Sequence, residues 1–265
     1  MTVACSSLCF TQQSFERACS HMARMGFKTV DVAVLQNWAH FSPKELAEDL
    51  DAQVERAQEA MAAAGLKAAA LNASAGASDR KTETKRFKAI CEFANALEAP
   101  VICYAAPLGI IEYEKTLARY GPLLETAQKA GVALAVEAHA RTLLEMPEDA
   151  AKFCDDLEGM RLTLDPSHMW AGENQGKPFD ALYPYVSHTH WRDSGDAWER
   201  CQVPVREGVV DFASVLKGLF QTGYRGAYSV EYIDTFPNGG ERNILTMKRL
   251  LDEWVRLVER SFSES

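Results

Sequence analysis

The seven cysteines, at positions 5, 9, 19, 91, 103, 154 and 201, form no Cys-x-x-Cys pair and no regular ladder. An odd count without zinc-type spacing argues against a disulfide scaffold or a structural zinc ribbon and predicts reduced thiols. Lysine and arginine are missing from Met1 to Phe10, the first being Arg17, so the charged start of a secretory signal is lacking. No apolar run reaches the roughly 18 residues of a membrane span. These absences predict a cytoplasmic setting and no membrane partner. Basic patches are also scarce: 28 Lys and Arg face 37 Asp and Glu, a formal charge of −9, and the longest basic cluster, Arg80 to Lys88, is interrupted by Glu83. Such a surface repels a phosphate-rich polymer, so no nucleic-acid partner is expected. The Gly-x-Ser-x-Gly elbow of serine hydrolases does not occur. The string Ala4-Cys5-Ser6-Ser7-Leu8 after the first strand is not the Gly-rich phosphate loop of a doubly wound nucleotide fold. No Pro/Ser-rich linker or change of composition divides the chain, and residues 1–265 read as one domain.

What is present is a 265-residue chain, 47% hydrophobic and 25% charged, an ordinary globular composition and the size of one barrel. Eight short apolar runs read as strands: Val3–Cys5, Thr29–Ala33, Ala68–Asn72, Val101–Tyr104, Ala133–Ala138, Leu162–Asp165, Val186–Trp191 and Ala227–Tyr232. Helical stretches are predicted near 14–25, 43–64, 80–97, 112–130, 147–157, 178–184, 211–221 and 239–260, with Ala171–Lys177 as a loop. Ser42-Pro43 reads as an N-cap followed by proline in the first turn, and Gly26, Gly65 and Gly131 each close a helix before a strand. Seven crossovers and a closing helix are what eight parallel strands require. The expected fold is therefore α/β, a single-domain (β/α)8 TIM barrel.

Such a barrel places its chemistry at the carboxyl ends of the strands. The fifth strand runs into Glu137 and His139, the sixth into Asp165 with His168 three residues on. The seventh holds His188 and His190 before Trp191-Arg192-Asp193, and the eighth ends in Glu231. One acid after a strand is usually a cap or a solvated loop residue. Four successive strands delivering an acid or a histidine is different, because carboxylates sit among Val, Ile and Leu only when paired or metal-bound. Glu137, Asp165, His190 and Glu231 together predict one divalent metal ion. Oxygen-rich ligands with a single imidazole suit Mn²⁺, Mg²⁺ or Co²⁺, with Zn²⁺ also possible.

The strings Val136-Glu137-Ala138-His139, Leu164-Asp165-Pro166-Ser167-His168, His188-Thr189-His190-Trp191-Arg192-Asp193 and Ser229-Val230-Glu231-Tyr232 carry a resemblance. The chain resembles the xylose isomerase-like barrel superfamily, in its branch of sugar phosphate isomerases and epimerases, related to ketose 3-epimerases and inosose dehydratases. The resemblance spans nearly the whole chain and is specific from about 133 to 235, including Glu207-Gly208-Val209-Val210-Asp211-Phe212 before the seventh helix. It implies that Glu137, Asp165, His190 and Glu231 hold the metal and that His168 contacts substrate oxygen. It further implies that Glu137 and Glu231 double as proton acceptor and donor on opposite sides of a small sugar or polyol ketone. Isomerisation or epimerisation of a ketose, sugar phosphate or related polyol ketone is the implied activity. A lyase acting on an inosose or a dehydroshikimate-like acid is the alternative, and homo-oligomers are common among such barrels.

Other residues at the mouth have two readings each. Arg192 is expected to contact substrate rather than pair with Asp193, and His139 to orient the site rather than bind the metal. His188 points the same way as His190 on a strand, as a core histidine or as a partner of the metal site. Arg206 stands where the family usually has the first glycine of a Gly-x-Gly, and either binds a substrate phosphate or carboxylate or lies on the surface. Trp38, after the second strand, either folds over a sugar ring or packs under its loop. The superfamily's DNA-repair endonucleases are a poor match, since the third and fourth strands end in Asn72 and Tyr104, not histidine, and Val203–Val210 has no Asp-x-His. A non-catalytic sugar-binding barrel has no need of opposed carboxylates.

Overall fold

The computed structural model describes residues 1–106 and 112–263. Eight parallel strands close a barrel in chain order: β1 (Thr2–Ser6), β2 (Thr29–Val34), β3 (Lys67–Ala73), β4 (Val101–Tyr104), β5 (Ala133–Glu137), β6 (Arg161–Leu164), β7 (Val186–Trp191) and β8 (Ala227–Val230). The seam pairs Thr2 with Ala227 and Cys5 with Val230. The helices are α1 (Phe15–Arg24), α2 (Pro43–Glu48), α3 (Leu50–Ala64), α4 (Arg80–Ala96), α5 (Tyr113–Ala130), α6 (Pro147–Asp156), α7 (Pro166–Ala171), α8 (Phe212–Gln221) and α9 (Glu241–Ser263).

Strand periodicity sorts the side chains into two sets. Val3, Cys5, Val32, Val34, Leu71, Ile102, Tyr104, Leu134, Val136, Leu162, Leu164, Tyr228 and Val230 point outward. They join Phe15, Phe41, Phe87, Phe93, Tyr120 and Phe153 of the helical layer and its loops in one continuous core. The alternate positions face inward and are small or polar: Ala70, Val101, Cys103 and Ala135 form one cluster, and Ala4, Ala69 and Ala227 another. Above these alanines the inward positions become Ser6, Asn72, Glu137, His190 and Glu231. The barrel thus has a floor of small residues and a polar upper layer.

The helical layer departs from expectation in four places. The stretch 43–64 is two helices, because Asp49 leaves helical geometry (φ −148°, ψ 76°) and its carboxylate accepts the Ala52 N–H to start α3. Ser42 precedes α2 without a side-chain cap; its hydroxyl donates to Gln36 Oε1 instead. The sixth crossover is a 3₁₀ helix, Asp180–Tyr185, with Pro184 inside it. A short helix, α7, follows β6 directly, started by the Asp165 carboxylate accepting the Ser167 N–H. Gly65 and Gly131 end α3 and α5 with φ of 65° and 72°, as a left-handed closing residue requires. Among the described residues no helix is long and apolar enough to cross a membrane.

Candidate active site at the open end of the barrel

β5, β7 and β8 bring Glu137, His190 and Glu231 together. His190 Nδ1 lies 3.2 Å from Glu137 Oε1 and 3.6 Å from Glu231 Oε2, and one ligand atom of each lies within 4.8 Å of the others. Glu231 is pinned by neighbours from across the barrel: Ser6 Oγ and Asn72 Nδ2 each donate to its Oε1 at 3.1 Å, leaving Oε2 towards His190. The two glutamates differ electrostatically. Burial raises Glu231 to about 7, reinforced by the charges of Glu137 and Asp165 and opposed by His190 and Arg192. Burial pulls Glu137 the same way, but the hydrogen bond and charge of His190, with His139 and Arg192, hold it down at about 2. One carboxylate is thus ionised and its neighbour holds its proton far more readily.

Asp165 is placed beside this trio but is otherwise engaged. Its Oδ1 accepts the Ser167 N–H, and its Oδ2 lies 3.0 Å from Arg192 Nη2. The Arg192 guanidinium is buried at 3% exposure and donates through Nε to Ser167 Oγ and through Nη2 to His168 Nε2 at 3.1 Å. Arg192 therefore pairs with Asp165 and not with Asp193. His168 Nε2 stands between the two acids, 3.7 Å from Asp165 Oδ2 and 4.0 Å from Glu137 Oε1. Burial and the charges of His139 and Arg192 lower its basicity well below that of a free imidazole, so it faces the mouth as a neutral acceptor. His139 lies against the His168 ring at 3.7 Å, and Trp198 stacks over His168 at 6.0 Å. Trp198 also walls a cavity of about 670 Å³ lined by Arg141, Glu145, Asp149, Glu173 and Asp196. Such a volume suits a small ligand.

Two of the expected contacts lie away from the trio. Arg206 is exposed, with φ at 75°, the conformation that makes glycine the usual residue there. Its backbone N–H donates to Asp193 Oδ2 at 2.8 Å. Asp193 also accepts from the N–H groups of Ser194, Gly208 and Val210, so it gathers the loop after β7. A Cβ on Gly208 would lie 2.1 Å from Asp193 Oδ1 and 2.4 Å from the Ser194 carbonyl. Gly208→Ala is expected to cost about 1–3 kcal/mol through this overpacking, read as a lower urea midpoint; an unchanged midpoint would show that the loop yields freely. Trp38 is 42% exposed and stacks at 6.5 Å on Phe236, at the rim where the loops after β2 and β8 meet.

Sequence reasoning missed Asp31. It lies within β2, fully buried, where the β2–β3 register shifts between Val30 and Asp31. Its Oδ2 lies 2.9 Å from Nε2 of both His188 and His190. The signal was a lone aspartate in the apolar run Thr29-Val30-Asp31-Val32-Ala33, where a carboxylate demands a partner.

The trio fits a divalent cation on its own chemistry. Two carboxylates and an imidazole converge in a buried space. Although burial disfavours charge on His190, Glu231 and the hydrogen bonds to Asp31 and Glu137 raise its basicity strongly. The cluster therefore attracts positive charge at Nδ1, the position a metal ion would take. Glu137, His190 and Glu231 would hold it, with Asp165 as a fourth ligand once Arg192 releases Oδ2.

The family model for xylose isomerase-like TIM barrels matches residues 19–253, and the chain belongs to that family. Among solved structures, a xylose isomerase-like TIM barrel protein from Mycobacterium smegmatis in complex with magnesium is similar with a TM-score of 0.75 and 15% identity, covering 94% of each chain. The probable 3-DHS dehydratase AsbF of Bacillus anthracis gives 0.72 and 17%, over 94% of this chain and 97% of that one. The D-psicose 3-epimerase of Clostridium cellulolyticum H10, solved with D-tagatose, gives 0.73 and 15%, over 97% and 99%. An uncharacterized protein of Methanocaldococcus jannaschii, MJ1188, is 27% identical over 154 residues, 56% of this chain and 54% of that protein. The chain matches about half the length of this curated relative.

Proposed function

We propose that the protein is a metal-dependent isomerase or epimerase of an unphosphorylated ketose or related polyol ketone, acting by proton transfer next to the carbonyl. The observation that carries this reading is the placement of Glu137 Oε1 and Glu231 Oε2 beside the same atom, His190 Nδ1, at 3.2 and 3.6 Å. A bound divalent ion supplies the Lewis acidity that loosens a C–H beside a carbonyl. Glu137, held ionised, takes that proton at a carboxylate oxygen. Glu231, whose Oε1 is fixed by Ser6 and Asn72, delivers a proton from Oε2. His168 Nε2 and the Arg192 guanidinium bind substrate oxygens, and His139 and Trp198 hold His168 in place and shield it from water. Four carboxylates against one guanidinium line the neighbouring cavity, which favours a neutral polyol over a phosphate ester. Arg206, on the exposed side of its loop, does not redress that balance.

The same first step serves a lyase when a β-hydroxyl leaves instead of a proton returning, and the likeness to a dehydratase fold keeps that reading beside the first. The test is a panel of ketoses, ketose phosphates and inososes incubated with Mn²⁺ in deuterated water. Deuterium is expected beside the carbonyl of an unphosphorylated substrate, and NMR of the product then separates an epimer from a dehydrated acid or enone. Full turnover after removal of metal by a chelator would end the metal reading.

A further inference from the structure

We propose that Asp31 is a positioning residue for the cation site, fixing which nitrogen of His190 is offered to the ion; this rests on the metal reading above. The geometry is that of one carboxylate clamping two alternate residues of β7. Asp31 Oδ2 lies 2.9 Å from His188 Nε2 and 2.9 Å from His190 Nε2, and all three side chains are at most 1% exposed. The two rings stand nearly perpendicular, at 80° with centroids 5.2 Å apart, so both reach the same oxygen without stacking.

An ionised carboxylate only accepts hydrogen bonds. Each imidazole must therefore donate through Nε2, which leaves His190 Nδ1 as the atom that meets Glu137 and Glu231. The hydrogen bond to the far nitrogen sets ring rotation and tautomer, as partners behind metal-bound histidines do. His188 gives its hydrogen bond to Asp31. Its part is to hold Asp31 from the strand that also carries His190, so that carboxylate and ring stay in register. The backbone explains how an acid comes to be there: the register shift at Val30/Asp31 is a bulge-type irregularity, a device that re-aims a side chain. Among the described residues Asp31 Oδ1 has no hydrogen-bond partner. Leaving a buried carboxylate half-satisfied is costly, which is unexpected of a group present for stability alone.

The experiment measures Mn²⁺ binding to the metal-free full-length protein by calorimetry, for the native chain, Asp31→Asn, Asp31→Ala and His188→Phe. Asp31→Ala is expected to weaken Mn²⁺ about 10–100-fold. Asp31→Asn, which keeps an acceptor oxygen, should lie between it and the native protein, and His188→Phe should weaken binding less than Asp31→Ala. In the native protein loaded with Zn²⁺, long-range ¹H–¹⁵N spectra of the histidines should show His190 protonated at Nε2 and bare at Nδ1, a readout independent of whether any variant folds. His190 protonated at Nδ1 overturns the proposal. So does native-strength Mn²⁺ binding by a folded Asp31→Ala, which would leave the metal reading intact. Failure of the native chain to bind Mn²⁺ at all would remove both.

Discussion

Glu137→Gln is expected to stop incorporation of solvent deuterium and to lower turnover by about 10³-fold, within the range that loss of a general base produces. The amide cannot take a proton, yet it keeps the size and much of the hydrogen-bonding capacity of the side chain that faces His190 Nδ1. Glu231→Gln should cause a loss of similar size. Its amide can still accept the hydrogen bonds from Ser6 and Asn72, so both variants should fold, with circular dichroism as the control. Exchange and turnover are measured separately on the same substrate. A Glu137→Gln enzyme that still exchanges deuterium at the native rate would show that the base is another group. A Glu231→Gln enzyme that exchanges the proton but yields no epimer would place Glu231 on the return step alone.

Arg192→Met should be the most destabilising single change at the mouth, costing about 3–5 kcal/mol in the metal-free protein. Removing one partner of a buried ion pair leaves the other charge uncompensated. Here the abandoned groups are Asp165, 3.0 Å away, and the glutamates, whose charges together with that of Asp165 raise the basicity of Arg192 against the effect of its burial. Methionine keeps much of the stem volume, so the loss reports charge more than packing. Urea unfolding measures it, and Mn²⁺ at about a hundred times its Kd should return roughly 2.7 kcal/mol. An unchanged midpoint in the metal-free variant would mean that the guanidinium does not balance these acids.

Much of this arrangement was legible in the sequence, for two physical reasons. Parallel strands buried on both sides are short and apolar, so an acid or imidazole at a strand's end stands out, as Glu137, Asp165, His190 and Glu231 do. Barrel closure then requires those ends to share one face. What was not legible depended on distance across the barrel. Asp31 lies on the second strand and its partners on the seventh, and nothing in the local pattern names them. Arg192 was expected to contact substrate rather than pair with Asp193, and nothing in the local sequence pointed to Asp165 as its partner. Asp193 turns to four backbone amides, and Arg192 reaches Asp165, just past the end of β6. The break at Asp49 and the short α7 were likewise hidden, because each rests on a single carboxylate choosing a backbone N–H.

The alanines beneath the polar layer bear on how such a protein changes over evolutionary time. Cohesion resides in the large side chains between strands and helices, while the lumen contributes little bulk. Outside the ion-paired polar layer, of which Arg192 with Asp165 is one pair, replacing a lumenal residue therefore takes little from what keeps the chain folded. New reactions can be tried on the same scaffold by exchanging a few inward groups, and relatives with different products can descend from one another through changes too small to alter their architecture.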